Sequence, residues 1–304
     1  SYRDWELILV DDGSTDNSRE VALDAVRTSK QMRLIALPSV GIVEALQTAC
    51  AETTASLIAR MDADDIAAPG RIEQQVAYMQ AHPNVALCGT QVTMVGENLG
   101  SGLLRYETWL NALLSHEDIV RELFVECPIA HPTFMMRRSS YEAVGGYRDH
   151  GWAEDYDIIM RFFLGGMRFG KVGEPLLAWR DHPVRLSRND ARYGSEAFRA
   201  LKRHYLAQSY LAERSSFYQW GAGEVGKPWL REWGECRPNA VVDINPRKVG
   251  RTIHGVPVIP PEELPPPDEA FIVVTVGAPG ARDEIRTWFA PRGYREGVDF
   301  LFLA

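Results

Sequence analysis

The stretch "ASLIARMDADDIAAPGR", residues 55–71, places three carboxylates directly after a run of small and apolar side chains. The run is typical of a buried strand, and Asp62, Asp64 and Asp65 follow at its carboxyl end. Farther on, Ile72, Val76 and Met79 recur at helical spacing and predict a helix. The stretch therefore predicts a strand, an acidic turn and a helix in succession.

The same alternation of strands and helices extends on both sides of this stretch. The segment "WELILV" predicts an earlier strand that ends at Asp11 and Asp12, and "NVALCGTQVTMVG" predicts a later one. Strands that alternate with helices predict an α/β domain with a mostly parallel, Rossmann-like sheet. Ligands bind such sheets at the carboxyl ends of the strands, so we expect both acidic clusters at the ligand-binding edge.

Composition and charge limit the classes of function. The 304 residues are 45% hydrophobic and 24% charged, which is typical of a globular chain of one or two domains. The net charge of −8 opposes nonspecific binding to nucleic acid, which requires a basic face. The four cysteines have no zinc-site spacing and suit a reducing cytosol. We therefore expect a cytoplasmic protein with no nucleic-acid partner.

The chain is predicted to contain two domains, residues 1–212 and 213–304. The polar segment "WRDHPVRLSRNDARYGSE" and a helix precede the boundary, which we place near Glu213. After it, Gly221, Gly223 and Gly226 follow a predicted strand, and Asp243 ends the next strand about twenty residues on. This spacing is the dinucleotide-binding fingerprint, and it predicts a small Rossmann-like domain.

Two interpretations of the second domain stay open. Its glycines and Asp243 fit a nucleotide or a nucleotide sugar. However, about ninety residues make only half of a complete two-nucleotide domain, so the glycines also suit tight packing in a structural or dimerising domain.

Asp-x-Asp at a strand end suits a divalent cation. Mg²⁺ and Mn²⁺ prefer oxygen ligands and often bind substrate phosphates as well. Carboxylates this close repel one another, and a cation or a proton relieves the repulsion. The alternative is a solvated acidic loop in which Asp64 or Asp65 caps the next helix.

Four segments in this order resemble the inverting glycosyltransferase family 2, which has the Rossmann-like GT-A fold. The similarity covers roughly residues 1 to 190. The segments are "WELILVDDGSTDNS", "IARMDADDIAAPGRIEQQVAYM", "HPTFMMRRSSYEAVGGYRD" and "AEDYDIIMRF". The resemblance implies an enzyme that transfers a sugar from a nucleotide-diphosphate donor.

The resemblance also implies roles for the residues that match the family's motifs. Asp64 and Asp62, with His182, would bind the Mn²⁺ or Mg²⁺ that holds the donor diphosphate. The residues implied in binding the donor nucleotide are Asp11, Asp12, Asp62, Arg185 and Arg188. Arginine suits the diphosphate because its planar guanidinium matches phosphate oxygens.

The resemblance places the catalytic base at Asp155, with Glu154 beside it. The helix pattern "EDYDIIMRFFLGG" would hold this base on a buried face. An acidic residue at a helix start is also common for electrostatic reasons alone. We expect Asp157 and Arg161, four residues apart, to form a surface ion pair, and His131 to be a structural residue.

The sequence departs from the family at its start. The family begins with one further strand and helix, about thirty residues that are absent here. A parallel sheet without that strand exposes an unpaired edge. We therefore expect weak donor binding, or an edge covered by another chain, as in a homodimer. Gln47 stands where many members carry Asn, and its role stays unassigned.

Two functions from different classes remain. The first is a metal-dependent glycosyltransferase that acts on a glycan or lipid-linked acceptor in surface polysaccharide synthesis. A lipid-linked acceptor would imply peripheral association with the inner face of the membrane. The second is a catalytically impaired nucleotide-binding or regulatory module with a C-terminal nucleotide or nucleotide-sugar sensor. A NAD-dependent oxidoreductase is disfavoured because no Tyr-x-x-x-Lys pair follows the fingerprint.

Overall fold

A computed structural model describes residues 2–97, 99–214 and 216–304. The chain forms two compact units. The first comprises Ser1–His116 and Ile129–Tyr193, and the second comprises Glu117–Pro128 and Gly194–Ala304. This division falls earlier than the boundary predicted at Glu213. It does not test which segment folds by itself, so the domain boundary stays a prediction.

The strands lie along the whole chain in short segments, with longer ones in the first unit. They are β1 (Leu7–Asp12), β2 (Met32–Leu37), β3 (Leu57–Ala59), β4 (Ile66–Ala67), β5 (Val85–Val95), β6 (Met135–Arg137), β7 (Arg168–Arg180), β8 (Tyr218–Trp220), β9 (Val241–Val242), β10 (Thr252–Ile253), β11 (Val256–Ile259), β12 (Ile272–Val274) and β13 (Phe300–Phe302).

Helices alternate with these strands in both units, as the sequence predicts for an α/β chain. They are α1 (Ser18–Arg27), α2 (Ile42–Ala51), α3 (Arg71–Ala81), α4 (Ser101–Ala112), α5 (His116–Glu122), α6 (Arg138–Ala143), α7 (Glu154–Leu164), α8 (Leu186–Asn189), α9 (Ser195–Gln208), α10 (Gly226–Glu232) and α11 (Ala281–Phe289).

Within its described residues, the first unit contains two sheets. Strands β1 and β2 pair in parallel, and a five-stranded sheet has the order β3-β6-β5-β7-β4. In that sheet β5 and β7 are parallel, whereas the short β6 and β4 run antiparallel to their neighbours. The apolar stripe of α3 packs on this sheet, with Val76 and Met79 buried against Val85, Cys88 and Met135. This packing places the acidic loop between β3 and β4 at a fixed position.

Helix α7 is almost fully buried, and one prediction about it is wrong. Asp157 and Arg161 form a buried ion pair rather than a surface pair, with Nε of Arg161 2.8 Å from the Asp157 carboxylate. The Trp152 indole also donates to Asp157. Arg161 donates to the carbonyls of Val144 and Gly146. These contacts compensate both charges, so the pair can lie inside the unit and hold the loop before α7.

The second unit has a six-stranded sheet in the order β10-β11-β9-β8-β12-β13. All its pairings are parallel except that of β10 with β11. Its core is rich in aromatic rings, among them Trp220, Phe289, Phe300 and Phe302. The α/β fold class, with parallel-rich sheets, is therefore confirmed.

A buried lysine joins distant segments within the second unit. Lys202 lies on α9 with 6% of its surface exposed. Its ammonium donates to the carbonyl of Val125 at 2.7 Å and to that of Leu303 at 3.1 Å. Burial lowers the pKa of Lys202 from 10.5 to about 8. The helix is thereby tied to both a segment before it and the last residues of the chain.

No helix among the described residues is both long enough and apolar enough to span a bilayer.

Lys202→Met should change how the stability of the second unit depends on pH. The folded wild type binds fewer protons than the unfolded chain between about pH 8 and 10.5, so Lys202 raises the free energy of unfolding as pH rises through this range. The wild type should therefore gain up to about 3 kcal/mol relative to Lys202→Met. Urea denaturation at pH 7 and pH 10 measures this difference.

The control is Lys227→Met, since Lys227 is exposed and pairs only with Glu224 among the described residues. Its unfolding free energy should follow that of the wild type at both pH values. If the free energy of unfolding changed equally between pH 7 and pH 10 in the wild type and in Lys202→Met, the prediction would be wrong.

Candidate active site

The three aspartates predicted to bind a metal lie together in the loop between β3 and β4. One carboxylate oxygen from each of Asp62, Asp64 and Asp65 lies within 4.8 Å of the others. The loop starts where Arg60 donates its backbone N–H to the carbonyl of Phe134, next to β6. The end of β3 therefore concentrates three negative charges at one point.

Two arginines that the sequence reasoning missed support this loop. Arg60 donates to Asp62 at 2.6 Å, and Arg71 donates to the carbonyl of Arg60 at 2.7 Å. Arg71 is buried on the first turn of α3 and also donates to Gln75. The only sequence signal was their place at the two ends of "RMDADDIAAPGR". They offset part of the negative charge and fix the backbone of the loop.

Asp65 has a different environment from its neighbours. Strand β4 runs antiparallel to β7, so Asp65 lies beside the end of β7 and accepts the backbone N–H of Arg180 at 2.8 Å. Its other oxygen has no hydrogen-bond partner in the described part of the chain. Burial raises the pKa of Asp65 to about 6. The alternative that it caps α3 is wrong, because Gly70 precedes that helix and no side chain caps it.

His182 lies beside the three aspartates of the loop. Its Nε2 is 2.8 Å from Oδ2 of Asp64, and both side chains are partly exposed. The structure thus brings together the predicted metal ligands Asp62, Asp64 and His182. Carboxylate and imidazole ligands suit Mn²⁺ or Mg²⁺, and the unpartnered oxygen of Asp65 adds negative charge beside them. The residues present therefore fit a divalent cation.

The segment after β7, residues 181–193, carries the predicted phosphate ligands, and we call it the strap. Arg188 donates to Asp181 through Nε at 3.1 Å and through Nη2 at 2.7 and 2.6 Å. The guanidinium of Arg185 lies 4.7 Å from the ring of Trp179. Both arginines are therefore already engaged by protein groups, and their role toward a diphosphate stays a prediction.

The other acidic pair lies at the end of β1. Asp12 accepts the backbone N–H groups of Val40 and Gly41 at 2.7 and 2.9 Å, just before α2. Asp11 accepts the N–H of Ser14, and its other oxygen lies 3.1 Å from Arg19. The Ser14 hydrogen bonds lower the pKa of Asp11. No hydrogen bond or ion pair joins this pair to the aspartates after β3 in the described part of the chain, so its nucleotide role stays a prediction.

Glu154 and Asp155 occupy the first turn of α7 but differ in their contacts. Glu154 is 1% exposed and accepts the Tyr193 hydroxyl at 2.7 Å, and Nδ1 of His131 lies 3.5 Å from it. Burial opposes its ionisation, yet these partners hold the pKa of Glu154 well below its usual value. Asp155 is half-buried and accepts the N–H of Tyr156. Of the two, Asp155 is the carboxylate that solvent reaches.

Two residues with no assigned catalytic role support α7's surroundings. His131 is buried, and its Nε2 lies 2.8 Å from the Tyr147 hydroxyl. Gln47, unassigned in the sequence, donates to the carbonyl of Tyr147 at 2.9 Å. Both hold the loop that leads to α7.

The fingerprint glycines of the second unit have separate local causes. Gly221 has a backbone φ of 106°, which residues other than glycine rarely adopt. A Cβ at Gly226 would fall against the carbonyl oxygen of Gly221, whereas a Cβ at Gly223 would meet nothing within 4 Å. Backbone conformation therefore explains Gly221, and close packing explains Gly226. Neither explains Gly223.

Asp243 lies beside this turn and is occupied by protein groups. Its carboxylate accepts the N–H groups of Ala222 and Asn245, at 3.1 and 2.9 Å, and the Lys248 ammonium lies 2.8 Å away. The structure thus brings the four predicted residues together. Their role toward a nucleotide stays a prediction.

Comparisons with known proteins identify the family of the chain. The model of the family "Glycosyl transferase family 2" matches residues 1–145. The chain is 31% identical over 198 residues to the putative glycosyltransferase EpsE of Bacillus subtilis, which covers 64% of this chain and 68% of EpsE. It is 30% identical over 178 residues to the amylovoran biosynthesis glycosyltransferase AmsE of Erwinia amylovora, covering 58% and 64%. The chain belongs to glycosyltransferase family 2.

A solved structure supports the fold. The crystal structure of S. aureus TarS 1-349 in complex with UDP-GlcNAc matches with a TM-score of 0.52 at 15% identity. The match covers 67% of this chain and 57% of TarS 1-349. The similarity to family 2 that the sequence motifs indicate is confirmed, and the chain is a glycosyltransferase. The aligned regions span 57 to 68% of these three relatives, so substrates and partners are proposals.

Gly226→Ala should destabilise the second unit, because the new Cβ would overlap the carbonyl of Gly221. Overpacking of this kind costs about 1–3 kcal/mol. Gly223→Ala is the matched control, with an expected change below about 0.5 kcal/mol. Urea denaturation followed by tryptophan fluorescence measures both. Equal stability of the two variants would show that the close contact does not constrain the turn.

Proposed function

We propose that this chain is a metal-dependent inverting glycosyltransferase. It would move a sugar from a nucleotide-diphosphate donor to a glycan or lipid-linked acceptor in surface polysaccharide synthesis. The observation that carries the proposal is the cluster of Asp62, Asp64 and Asp65, within 4.8 Å of one another, with His182 on Asp64. The name of AmsE, an amylovoran biosynthesis glycosyltransferase, supports the polysaccharide context.

Asp62, Asp64 and His182 would hold the cation. When bound, Mg²⁺ or Mn²⁺ acts as a Lewis acid that stabilises negative charge on the departing diphosphate. Arg60 and Arg71 keep the loop in place, so the carboxylates stay close despite their repulsion. Repulsion among the three carboxylates is unfavourable, and a bound cation relieves it.

The donor would lie between the two acidic strand ends. Asp11 would contact its nucleoside, while Asp12 holds the loop before α2 through the N–H groups of residues 40 and 41. Arg185 and Arg188 would bind the diphosphate. Arg188 would then exchange the carboxylate of Asp181 for phosphate oxygens, which offer the same bidentate geometry.

Asp155 would be the general base. In an inverting transfer the acceptor oxygen bonds to the anomeric carbon as the bond from that carbon to the diphosphate oxygen breaks on the opposite face. The proton of the acceptor hydroxyl passes to the carboxylate of Asp155. The half-buried position of Asp155 on the first turn of α7 supports this role, because the carboxylate is both held and accessible. A lipid-linked acceptor would bring the protein to the membrane surface.

Asp64→Ala should abolish metal-dependent nucleotide binding. Calorimetric titration of UDP and GDP with Mn²⁺ should show binding to the wild type, and the affinity should fall at least about tenfold in EDTA or in Asp64→Ala. Asp283→Ala is the matched control, because Asp283 lies in the second unit with 87% of its side chain exposed. Binding that persists in EDTA and in Asp64→Ala would contradict the metal site.

Asp155→Asn should slow donor turnover without weakening nucleotide binding. Loss of a general base lowers the rate by roughly 10²–10⁴-fold. Release of UDP or GDP from sugar donors measures turnover, and calorimetry measures affinity. Asp149→Asn, in the exposed loop before α7, is the control and should behave as wild type. If the wild type binds nucleotide and turns over no donor, the alternative of a catalytically impaired module is favoured.

A further inference from the structure

The strap is attached at both ends to the two acidic motifs of the first unit. Just before its start, the N–H of Arg180 at the end of β7 donates to Asp65 at 2.8 Å, and at its start His182 contacts Asp64. At its end, the hydroxyl of Tyr193 donates to Oε2 of Glu154 at 2.7 Å. The segment that carries the proposed phosphate ligands thus joins the aspartates after β3 to the first turn of α7.

Between these attachments the strap is folded on itself. Asp181 pairs with Arg188, and Asp190 pairs with Arg192. The amide of Asn189 donates to the carbonyls of Pro183 and Arg185, at 2.9 and 2.8 Å. Those contacts brace the strap internally and do not fix where it lies. The guanidinium of Arg185 also lies 4.7 Å from the ring of Trp179 on β7. The position of the strap's last residues therefore depends on the contact of Tyr193 with α7.

Glu154 is poorly suited to receive the proton of an acceptor hydroxyl. Both of its oxygens face protein donors, Oε1 the ring of His131 and Oε2 the hydroxyl of Tyr193. Only 1% of the residue is exposed. The Tyr147 hydroxyl in turn contacts the other ring nitrogen of His131. An acceptor sugar could reach Glu154 only after this network had opened.

We propose that Glu154 is a positioning residue: it anchors the end of the strap through Tyr193 and fixes the first turn of α7, from which Asp155 faces the substrate. This inference rests on the proposed function, since it takes Asp155 as the base and the strap as the donor-side segment. It explains why two adjacent acids occur at this helix start. One carboxylate holds the strap, and the other accepts the proton.

The arrangement also links donor binding to the base. If Tyr193 leaves Glu154, the strap loses this contact with α7, and the position of Arg185 and Arg188 relative to Asp155 becomes less restricted. The start of the strap would remain attached, because the N–H of Arg180 is part of the end of β7. Loss of the bond between Tyr193 and Glu154 should therefore affect the end of the strap near Tyr193 more than the metal cluster.

Trypsin cleavage measures the attachment without any need for activity. The strap contains Arg185, Arg188 and Arg192 as cleavage sites. Tyr193→Phe removes only the hydroxyl, and we expect cleavage within the strap to become about tenfold faster, as for loss of one hydrogen bond to a charged group. Glu154→Gln should act in the same direction, and the double variant should be cleaved no faster than Tyr193→Phe.

Two variants serve as controls for this measurement. Asp149→Asn, in the exposed loop before α7, should leave strap cleavage unchanged, because Asp149 accepts only a local N–H from Gly151 among the contacts of the described residues. Tyr218→Phe removes a tyrosine hydroxyl in the second unit and should also have no effect. Thermal unfolding of each variant shows whether the fold is kept. Unchanged strap cleavage in a folded Tyr193→Phe would overturn the proposal.

Turnover kinetics separate a positioning residue from a base. We expect Tyr193→Phe and Glu154→Gln to lower kcat by a similar factor of about ten, without moving the acidic limb of the pH profile. Asp155→Asn should lower kcat far more. A loss in Glu154→Gln as large as that in Asp155→Asn, with Tyr193→Phe near wild type, would make Glu154 the base and overturn the proposal.

The inference and the proposed function fail separately. If the wild type turns over no sugar donor, the proposed function is wrong, and strap cleavage still decides whether Glu154 anchors the strap. If turnover and its loss in Asp155→Asn are found while strap cleavage is the same in all variants, the function stands and the anchoring role is wrong.

Discussion

Repulsion among three carboxylates at the end of β3 is the constraint on which the first unit depends. Asp62, Asp64 and Asp65 could not stay within 4.8 Å of one another in a freely moving loop. Arg60, which is half-buried, and Arg71, which is buried, hold the loop by one ion pair and one bond to its backbone. What remains is a concentrated negative charge whose natural complement is a divalent cation.

The contacts around this cluster are shared between distant parts of the sequence. Asp65 accepts a backbone N–H from the end of β7, and Asp64 contacts His182 just beyond it. Tyr193 then reaches Glu154 on α7. Near the metal cluster, Asp65 is held by the end of β7 and Asp64 by His182, whereas on α7 Glu154 is held by Tyr193 and Asp155 is half-buried. Dividing the roles in this way lets a fixed scaffold carry a charged and reactive site.

Several residues of the nucleotide-binding pattern in the second unit also have a local structural cause. Gly226 allows close approach to Gly221, and Asp243 is saturated by backbone N–H groups and Lys248. Only Gly223 lacks a cause in packing or backbone conformation. The fingerprint in the sequence therefore identifies a strand–turn–helix geometry, and its role toward a nucleotide stays a prediction.

The sequence alone determined the α/β class and the residues of the acidic loop, because strand and helix periodicities and the Asp-x-Asp spacing are local. It was wrong about the exposure of Asp157 and Arg161, and it missed Arg60, Arg71 and Tyr193. Tyr193 acts through a partner 39 residues away, and Arg71, Asp157 and Arg161 are buried. Arg60 and Arg71 contact residues near them in the sequence, but only the fold turns these side chains toward the acidic loop. Only the tertiary structure decided which carboxylates are held by protein groups and which remain accessible, because that depends on what packs against each one.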